Sequence, residues 1–148
     1  MSGDDMTVRT AKKSDYDKIA VLLNEYAKPP YNEPWKKSDA VDTLNYYAEV
    51  GKLLVAVIDK LIVGVVIFRI EFYNGEKKVM IEELIVGSNH QNKGIGKELM
   101  LAVEDYCKLN GIPYIWLITN IKANAYKFYK AVGYVNDKDT VFFSKRLI

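Results

Sequence analysis

A six-residue stretch, Gln91-Asn92-Lys93-Gly94-Ile95-Gly96, limits the folds open to this chain more than any other feature. It lies between an apolar run, Ile81–Val86, and a helical pattern, Lys97–Leu109. A strand that enters a tight loop and then a helix leaves several backbone N–H groups without partners inside the helix, and the aligned peptide dipoles place positive partial charge there. The stretch therefore predicts an anion-binding turn.

The residue types in this turn favour a bulky phosphate ligand. Gly94 and Gly96 have no Cβ atoms to hold a pyrophosphate away from the backbone, and Lys93 and Lys97 add positive charge at the same end. The glycine spacing differs from the G-x-G-x-x-G of dinucleotide-binding folds and from the G-x-x-x-x-G-K-[ST] of P-loops. Taken alone, the pattern fits a glycine-rich turn that caps a surface helix equally well.

Hydrophobic periodicity and turn residues predict one domain, residues 1–148, of mixed α/β (α+β) class in the order β-α-α-β-β-β-α-β-α-β-β. The Asn74-Gly75 pair is the strongest hairpin signal. Tyr26 and Tyr47 recur at helical spacing with the apolar residues of the first two helices. The predicted later elements are strands over Leu53–Ile58, Leu61–Phe72 and Lys78–Val86, a helix over Gly94–Asn110, a strand over Tyr114–Ile118, a helix over Ala123–Val132, and a final hairpin of Tyr134–Val135 with Val141–Leu147.

Composition excludes several function classes. The chain has 21 basic and 19 acidic residues and no basic run, so we expect no nucleic-acid partner. No apolar run approaches the ~20 residues that span a bilayer and no leader is visible, so we expect a cytoplasmic protein without membrane association. A single histidine, His90, and a single cysteine, Cys107, cannot build the usual zinc site, so no metal is expected.

Three features in register resemble the GNAT N-acetyltransferase superfamily. The Q-x-x-G-x-G turn is similar to that family's acyl-CoA pyrophosphate loop, usually [RQ]-x-x-G-x-[GA], and the strand Ile81–Val86 resembles the central strand that leads into it. Downstream, Ala125–Tyr134 resembles the fourth-helix signature A-x-x-F-Y-x-x-x-G-[FY]. The resemblance spans Met6–Leu147 and implies a mostly antiparallel sheet with helices on both faces, in which the parallel fourth and fifth strands splay apart.

The resemblance implies acetyl-CoA as the cofactor and assigns residues to it. Backbone groups would form hydrogen bonds with the pantetheine arm and the oxyanion. Residues of the loop would bind the diphosphate. The family often has Asn at the position of Lys122, so the neighbouring Asn120 or Asn124 would take over that contact. The full cofactor-binding set is Leu84, Ile85, Val86, Gln91, Asn92, Lys93, Gly94, Ile95, Gly96, Lys97, Asn120, Asn124 and Tyr129.

The family's reaction, attack of a neutral amine on a thioester, needs a base and an acid. Glu82 and Glu83 are the candidate bases, and as neighbours on a strand they are expected to point to opposite faces of the sheet. Glu82 is favoured because an acid at the matching place in polyamine-type relatives points towards the amine; a structural acid is its alternative. Tyr129 matches the family tyrosine that donates a proton to the departing thiolate, with a core aromatic as the alternative.

For the acceptor, the resemblance points to the connection between the first two helices. Tyr31, Glu33 and Trp35 in this Pro-rich stretch suit a cationic amine of polyamine or aminosugar type, although a loop pinned on the core by Trp35 is equally compatible. Tyr46 and Tyr47 follow the stretch and add further aromatic faces. A protein N-terminal or lysine acetyltransferase and a non-catalytic acyl-CoA-binding module are the alternatives. The oligomeric state is left open, with a homodimer through the edge of the final hairpin, which carries Val141-Phe142-Phe143, as one alternative.

Overall fold

The computed structural model describes residues 5–148, which form two compact units, one ending at Ile118 and one spanning Thr119–Ile148. The first unit contains the whole sheet. Its elements are β1 (Thr7–Thr10), α1 (Tyr16–Leu23), α2 (Lys37–Val50), β2 (Gly51–Ile58), β3 (Leu61–Tyr73), β4 (Glu76–Val86), α3 (Ile95–Leu109) and β5 (Ile115–Leu117). Within residues 5–148 no helix is both long enough and apolar enough to cross a bilayer.

The five strands form one sheet in the order β1-β2-β3-β4-β5. Neighbours from β1 to β4 pair antiparallel, and β4 and β5 pair parallel, as the predicted mixed topology requires. The β3–β4 hairpin turns at Asn74-Gly75, where both residues have positive φ, 50° and 81°. The mixed α/β fold predicted from the sequence is therefore confirmed.

Helices cover both faces of this sheet. The face with Val65 and Ile67 packs against α1 and α2 in a core that includes Ile19, Leu23 and Leu44. On the opposite face, a Cβ atom added to Gly64 would lie 3.1 Å from Leu99 Cδ1 and 3.3 Å from Ile95 Cγ2. Because glycine lets α3 approach β3 this closely, the first turn of α3 is held against the sheet.

A β-bulge in β4 changes which side chains share a face. Ile67 pairs with Glu83 and Phe68 pairs with Ile81, so Glu82 is an extra residue without a partner in the register. An extra residue interrupts the strict alternation of side chains. Glu83 lies on the face of Ile67, and Glu82 meets Arg69, two residues from Ile67 on that same face. The expectation that Glu82 and Glu83 point to opposite faces was therefore wrong.

The second unit contains α4 (Asn124–Ala131), and none of the described residues after it forms a strand. The predicted hairpin of Tyr134–Val135 with Val141–Leu147 was therefore wrong, and the homodimer that was to use its edge stays a prediction. Asp137 accepts hydrogen bonds from Asp139 N (2.9 Å) and Thr140 Oγ1 (2.8 Å). Such local bonds offer the backbone an alternative to a sheet ladder.

Candidate active site

The predicted anion-binding turn follows a short 3-10 helix, Ser88–His90, at the end of β4. The Gln91 side chain donates from Nε2 to the carbonyl oxygen of Val86 (3.0 Å), which ties the start of the turn back to the strand. Lys93 Nζ lies 3.4 Å from the carbonyl oxygen of Asn89. These contacts give the turn a defined path from β4 to α3.

Glycine is required at the tip of the turn. Gly94 is the N-cap of α3 in the left-handed conformation, φ 82° and ψ 4°, and no atom lies within 4 Å of where its Cβ would be. The helix begins at Ile95, one residue after its predicted start at Gly94, so Ile95 and Gly96 belong to its first turn. Their N–H groups are among the four that an α-helix leaves without internal partners.

The residues present fit a diphosphate. Free first-turn amides, the positive end of a helix dipole and open space over Gly94 form a cradle that a side chain at position 94 would fill. Lys93 and Lys97 are both exposed beside this cradle. Ile95 is buried, so its contribution is its backbone and the anchoring of the turn.

The end of β4 offers an open main-chain edge. Pairing between β4 and β5 is restricted to Val79–Ile81 with Ile115–Leu117. Among the described residues, Glu83–Val86 pair only with β3. The predicted separation of the two parallel strands thus begins at the bulge, and the backbone of Leu84, Ile85 and Val86 faces the gap on one side.

Glu83 lies in a cluster of tyrosines. Its Oε2 is buried and has no hydrogen-bond partner within residues 5–148. Burial raises the pKa of Glu83 from 4.5 to about 7, against hydrogen bonds from Tyr26 and Tyr47 that lower it, and the nearby charges of Glu82 and Glu33 raise it further. The carboxyl group is therefore half ionised near neutral pH, which is the range a general base needs.

Glu82 has a different environment, although it shares the face. Arg69 Nε lies 3.4 Å from Glu82 Oε1, and Arg69 Nη2 lies 3.5 Å from Glu71 Oε2. Glu71 in turn accepts a hydrogen bond from Trp116 Nε1 (2.7 Å). This chain of contacts crosses β3, β4 and β5. Glu82 is therefore paired with a cation, whereas Glu83 forms no ion pair with any residue from 5 to 148.

The connection between α1 and α2 contributes two of the three predicted acceptor residues to this cluster. The rings of Tyr26 and Tyr31 contact edge to face with centroids 4.9 Å apart, and burial followed by the charge of Glu83 raises the pKa of Tyr31. Glu33 N donates to the carbonyl oxygen of Tyr26 (2.7 Å). Trp35 instead packs against the α1–α2 core, with a buried Nε1 that has no partner in the described chain.

Tyr26 was interpreted from the sequence only as a residue of the first helix, whereas Tyr47 was already placed beside the acceptor connection. Burial, followed by the charges of Glu83 and Glu82, raises the pKa of Tyr47. The missed signal was chemical: a tyrosine on an apolar helix face brings a hydroxyl that needs a partner when it is buried.

Tyr129, Asn120 and Asn124 belong to the second unit. Asn120 Oδ1 accepts a hydrogen bond from Lys122 N (2.8 Å), a turn that leads into α4, and Asn124 is the first residue of that helix. Both asparagines are exposed.

Tyr129 is 7% exposed and is held by the way α4 ends. Gly133 has φ 97°, Tyr134 N donates to the carbonyl oxygen of Tyr129 (2.9 Å), and Gly133 N donates to that of Lys130 (3.2 Å). This is a Schellman motif, in which the residue after the glycine contacts the helix. The contact here is between the rings of Tyr134 and Tyr129, 5.8 Å apart.

Comparison with known proteins gives one family match over most of the chain. The model of the acetyltransferase (GNAT) family matches residues 20–134. Streptothricin acetyltransferase of Streptomyces lavendulae is 34% identical over 59 residues, which cover 39% of this chain and 31% of that protein. The chain thus aligns with about a third of the length of this curated relative.

Solved structures match the whole fold. A possible acetyltransferase from Clostridium difficile 630 has a TM-score of 0.83 at 18% identity, covering 97% of this chain and 98% of that one. An aminoglycoside acetyltransferase from an uncultured soil metagenomic sample, in complex with sisomicin, has a TM-score of 0.77 at 19% identity and covers 98% of both chains. Ribosomal-protein-alanine N-acetyltransferase from Brucella melitensis has a TM-score of 0.76 at 21% identity and covers 97% of both. At these identities the likeness concerns the fold.

The raised pKa of Glu83 predicts a pH-dependent effect on stability. Between pH 4.5 and about 7 the folded protein binds more protons at this site than the unfolded chain does, so the site lowers the free energy of unfolding as pH rises. We expect Glu83→Gln to raise the free energy of unfolding at pH 8 by up to about 3 kcal/mol relative to its effect at pH 4. Urea denaturation at both pH values measures this, with the exposed Glu76→Gln as control. An effect of Glu83→Gln that is equal at pH 4 and pH 8 contradicts the prediction.

Proposed function

This chain belongs to the acetyltransferase (GNAT) family, and we propose that it transfers an acetyl group from acetyl-CoA to a primary amine of a small cationic molecule. Members of this family use acetyl-CoA as the acetyl donor, and the cradle at Gly94 fits the diphosphate of that substrate. The amine attacks the acetyl carbon directly, the C–S bond breaks, and free coenzyme A leaves. The chain must therefore accept a proton from the amine, stabilise negative charge on the acetyl oxygen and protonate the thiolate.

The observation that carries the proposal is the environment of Glu83. An alkyl ammonium has a pKa of about 10.4, so a base must remove its proton near neutral pH. A carboxylate with a pKa of about 7 and a buried, unpaired Oε2 has both the acceptor atom and the proton affinity for this step. We therefore assign Glu83 as the base.

Glu82, the base favoured from the sequence, receives a supporting role instead. Its contact with Arg69 neutralises one of the two neighbouring acids. Its remaining field still favours a cation near Glu83 and raises the pKa of that carboxyl group. Glu82 acts on the acceptor through charge and does not accept the amine proton.

The character of the acceptor follows from the groups around Glu83. Glu33 adds a negative charge, and the rings of Tyr31 and Tyr47 offer faces on which an ammonium group can bind. The connecting segment folds back on itself, because Tyr31 N and Asn32 N both donate to the carbonyl oxygen of Lys28 (3.1 Å each). A compact acidic and aromatic surface of this kind supports a small amine.

A protein acetyltransferase is the second candidate, since one solved structure of the same fold acts on a ribosomal protein by its name. Such an enzyme needs an open groove for a peptide, which the folded connection between α1 and α2 disfavours. A non-catalytic acyl-CoA-binding module has no need for an uncompensated buried carboxylate beside the open edge of β4. Turnover of acetyl-CoA with a panel of polyamines, aminoglycosides and N-terminal peptides separates the three functions.

The remaining tasks are assigned to backbone groups and to Tyr129. The exposed edge of Leu84, Ile85 and Val86 supplies N–H groups for the acetyl oxygen and the pantetheine arm, and the turn Gln91–Gly96 with Lys97 supplies amides and charge for the diphosphate. Tyr129 protonates the thiolate, and Asn120 or Asn124 contacts coenzyme A.

Replacing the proposed base tests the central assignment. We expect Glu83→Gln to lower kcat by about 10²–10⁴, because the amide cannot accept the amine proton. The acid limb of the wild-type kcat/KM profile should lie near pH 7. Glu82→Gln is the matched control, and we expect it to lose at most about tenfold, since only a field effect is removed. Equal losses of kcat in both variants, or a larger loss in Glu82→Gln, would indicate that Glu82 is the base.

A side chain at position 94 tests the diphosphate cradle. We expect Gly94→Val to weaken acetyl-CoA binding at least about tenfold, because the side chain occupies the space over the turn and disfavours a φ of 82°. Isothermal titration calorimetry measures the affinity, and Gly75→Val is the control, since Gly75 has an equal φ in the β3–β4 hairpin. An unchanged affinity of the Gly94 variant for acetyl-CoA would contradict the assignment of this turn to the diphosphate.

Removal of the Tyr129 hydroxyl tests the proton donor. We expect Tyr129→Phe to lower kcat by about 10–100-fold while the ring contact with Tyr134 and the fold are kept. The loss should shrink with a thioester whose thiol is more acidic, because that leaving group needs less protonation. A variant with wild-type turnover on acetyl-CoA would show that another group protonates the thiolate.

A further inference from the structure

Glu25, Lys28 and Ser88 form a polar bridge between two segments that are about sixty residues apart in the chain. Ser88 donates to Glu25 Oε1 from both its backbone N (3.0 Å) and its Oγ (2.5 Å). Lys28 Nζ donates to Glu25 Oε2 (2.7 Å) and to Ser88 Oγ (2.6 Å). Every member of this bridge is thus bonded to both of the others.

The two segments belong to different halves of the proposed reaction. Glu25 and Lys28 lie in the short 3-10 helix Asn24–Ala27 and directly after it, where the acceptor connection begins. Ser88 begins the 3-10 helix that leads into the Gln91–Gly96 turn. Tyr26, whose hydroxyl bonds Glu83, is the residue next to Glu25. The bridge therefore holds the backbone of Tyr26 near the end of β4, and this fixes the position of the Tyr26 hydroxyl.

The Glu25 carboxylate in the bridge has a pKa below its ordinary value. Although burial raises the pKa of Glu25, the hydrogen bonds from Lys28 and Ser88 outweigh it and lower that pKa overall. The carboxylate thus stays ionised at every pH at which Glu83 titrates. A change in the protonation of Glu83 leaves the bridge intact.

We propose that Glu25, with Ser88 and Lys28, is a positioning residue that holds the Tyr26 hydroxyl on the Glu83 carboxylate. This inference rests on the proposed role of Glu83 as the base. A hydrogen bond from Tyr26 to the carboxylate favours its ionised form, so losing the bridge raises the pH at which the base becomes active. The other groups that face Glu83 are Tyr47 from α2, Tyr31 and Glu33 from the connection, and Glu82 from β4, with Arg69 beyond Glu82, and none belongs to the bridge.

The test compares pH profiles of kcat/KM for the amine. We expect Glu25→Ala and Ser88→Ala each to move the acid limb to higher pH by about half a unit and to lower kcat/KM at pH 6.5 about twofold to threefold. Ser88→Thr keeps the hydroxyl and the backbone donor and should retain the wild-type limb. The exposed Glu76→Ala is the control for truncating a glutamate elsewhere.

A double variant identifies the path of the effect. If Glu25 acts through Tyr26, Glu25→Ala combined with Tyr26→Phe moves the limb no further than Tyr26→Phe alone. The inference is overturned if folded Glu25→Ala and Ser88→Ala proteins keep the acid limb of the wild-type kcat/KM profile. Additive shifts of that limb in the double variant would also overturn it. If Glu25→Ala does not fold, as judged by thermal unfolding, the milder Ser88→Ala decides. Full activity of Glu83→Gln with an unchanged acid limb would instead refute the base assignment, which separates the two failures.

Discussion

One unpaired residue in β4 governs the arrangement of the site. The bulge at Glu82 turns two neighbouring acids to the same face, where an undisturbed strand would present them to opposite faces. It also marks the point at which β4 ceases to pair with β5, so the polar face and the open main-chain edge arise at the same place. The chemistry proposed for this chain depends on both, since the acceptor meets side chains on the face while the acetyl donor meets backbone groups at the edge.

The same bulge places the two acids in different environments. Glu82 meets Arg69 on β3 and becomes part of a half-buried ion-pair chain. Glu83 instead lies among tyrosines from α2 and from the α1–α2 connection, and it forms no ion pair within residues 5–148. Desolvation without compensation is what raises a carboxyl pKa towards neutrality. Two residues of the same type, adjacent in sequence, thus acquire different chemical properties from their surroundings alone.

The elements and their order could be predicted from the sequence because each carries a local signal. Asn74-Gly75 indicates a hairpin by its torsional preference, and the glycines at 94 and 96 indicate a turn by the space that they leave. The bulge could not be predicted, because the register depends on the partner strand. For the same reason the expectation that Glu82 and Glu83 point to opposite faces was wrong, and local hydrogen bonds to Asp137 take the place of the predicted final hairpin. The environment of Glu83 also requires Tyr26 and Tyr47, which only the tertiary fold brings together.

The end of α4 has a consequence for how related sequences are interpreted. The spacing Y-x-x-x-G-Y places a tyrosine, a left-handed glycine and a second aromatic residue where a helix end with an edge-to-face ring pair requires them. Selection for a well-terminated helix alone could preserve all three residues in a protein that has lost its chemistry. Retaining this signature therefore does not by itself identify a homologue as an active enzyme. The ionisation of the acid after the bulge is the better criterion for activity.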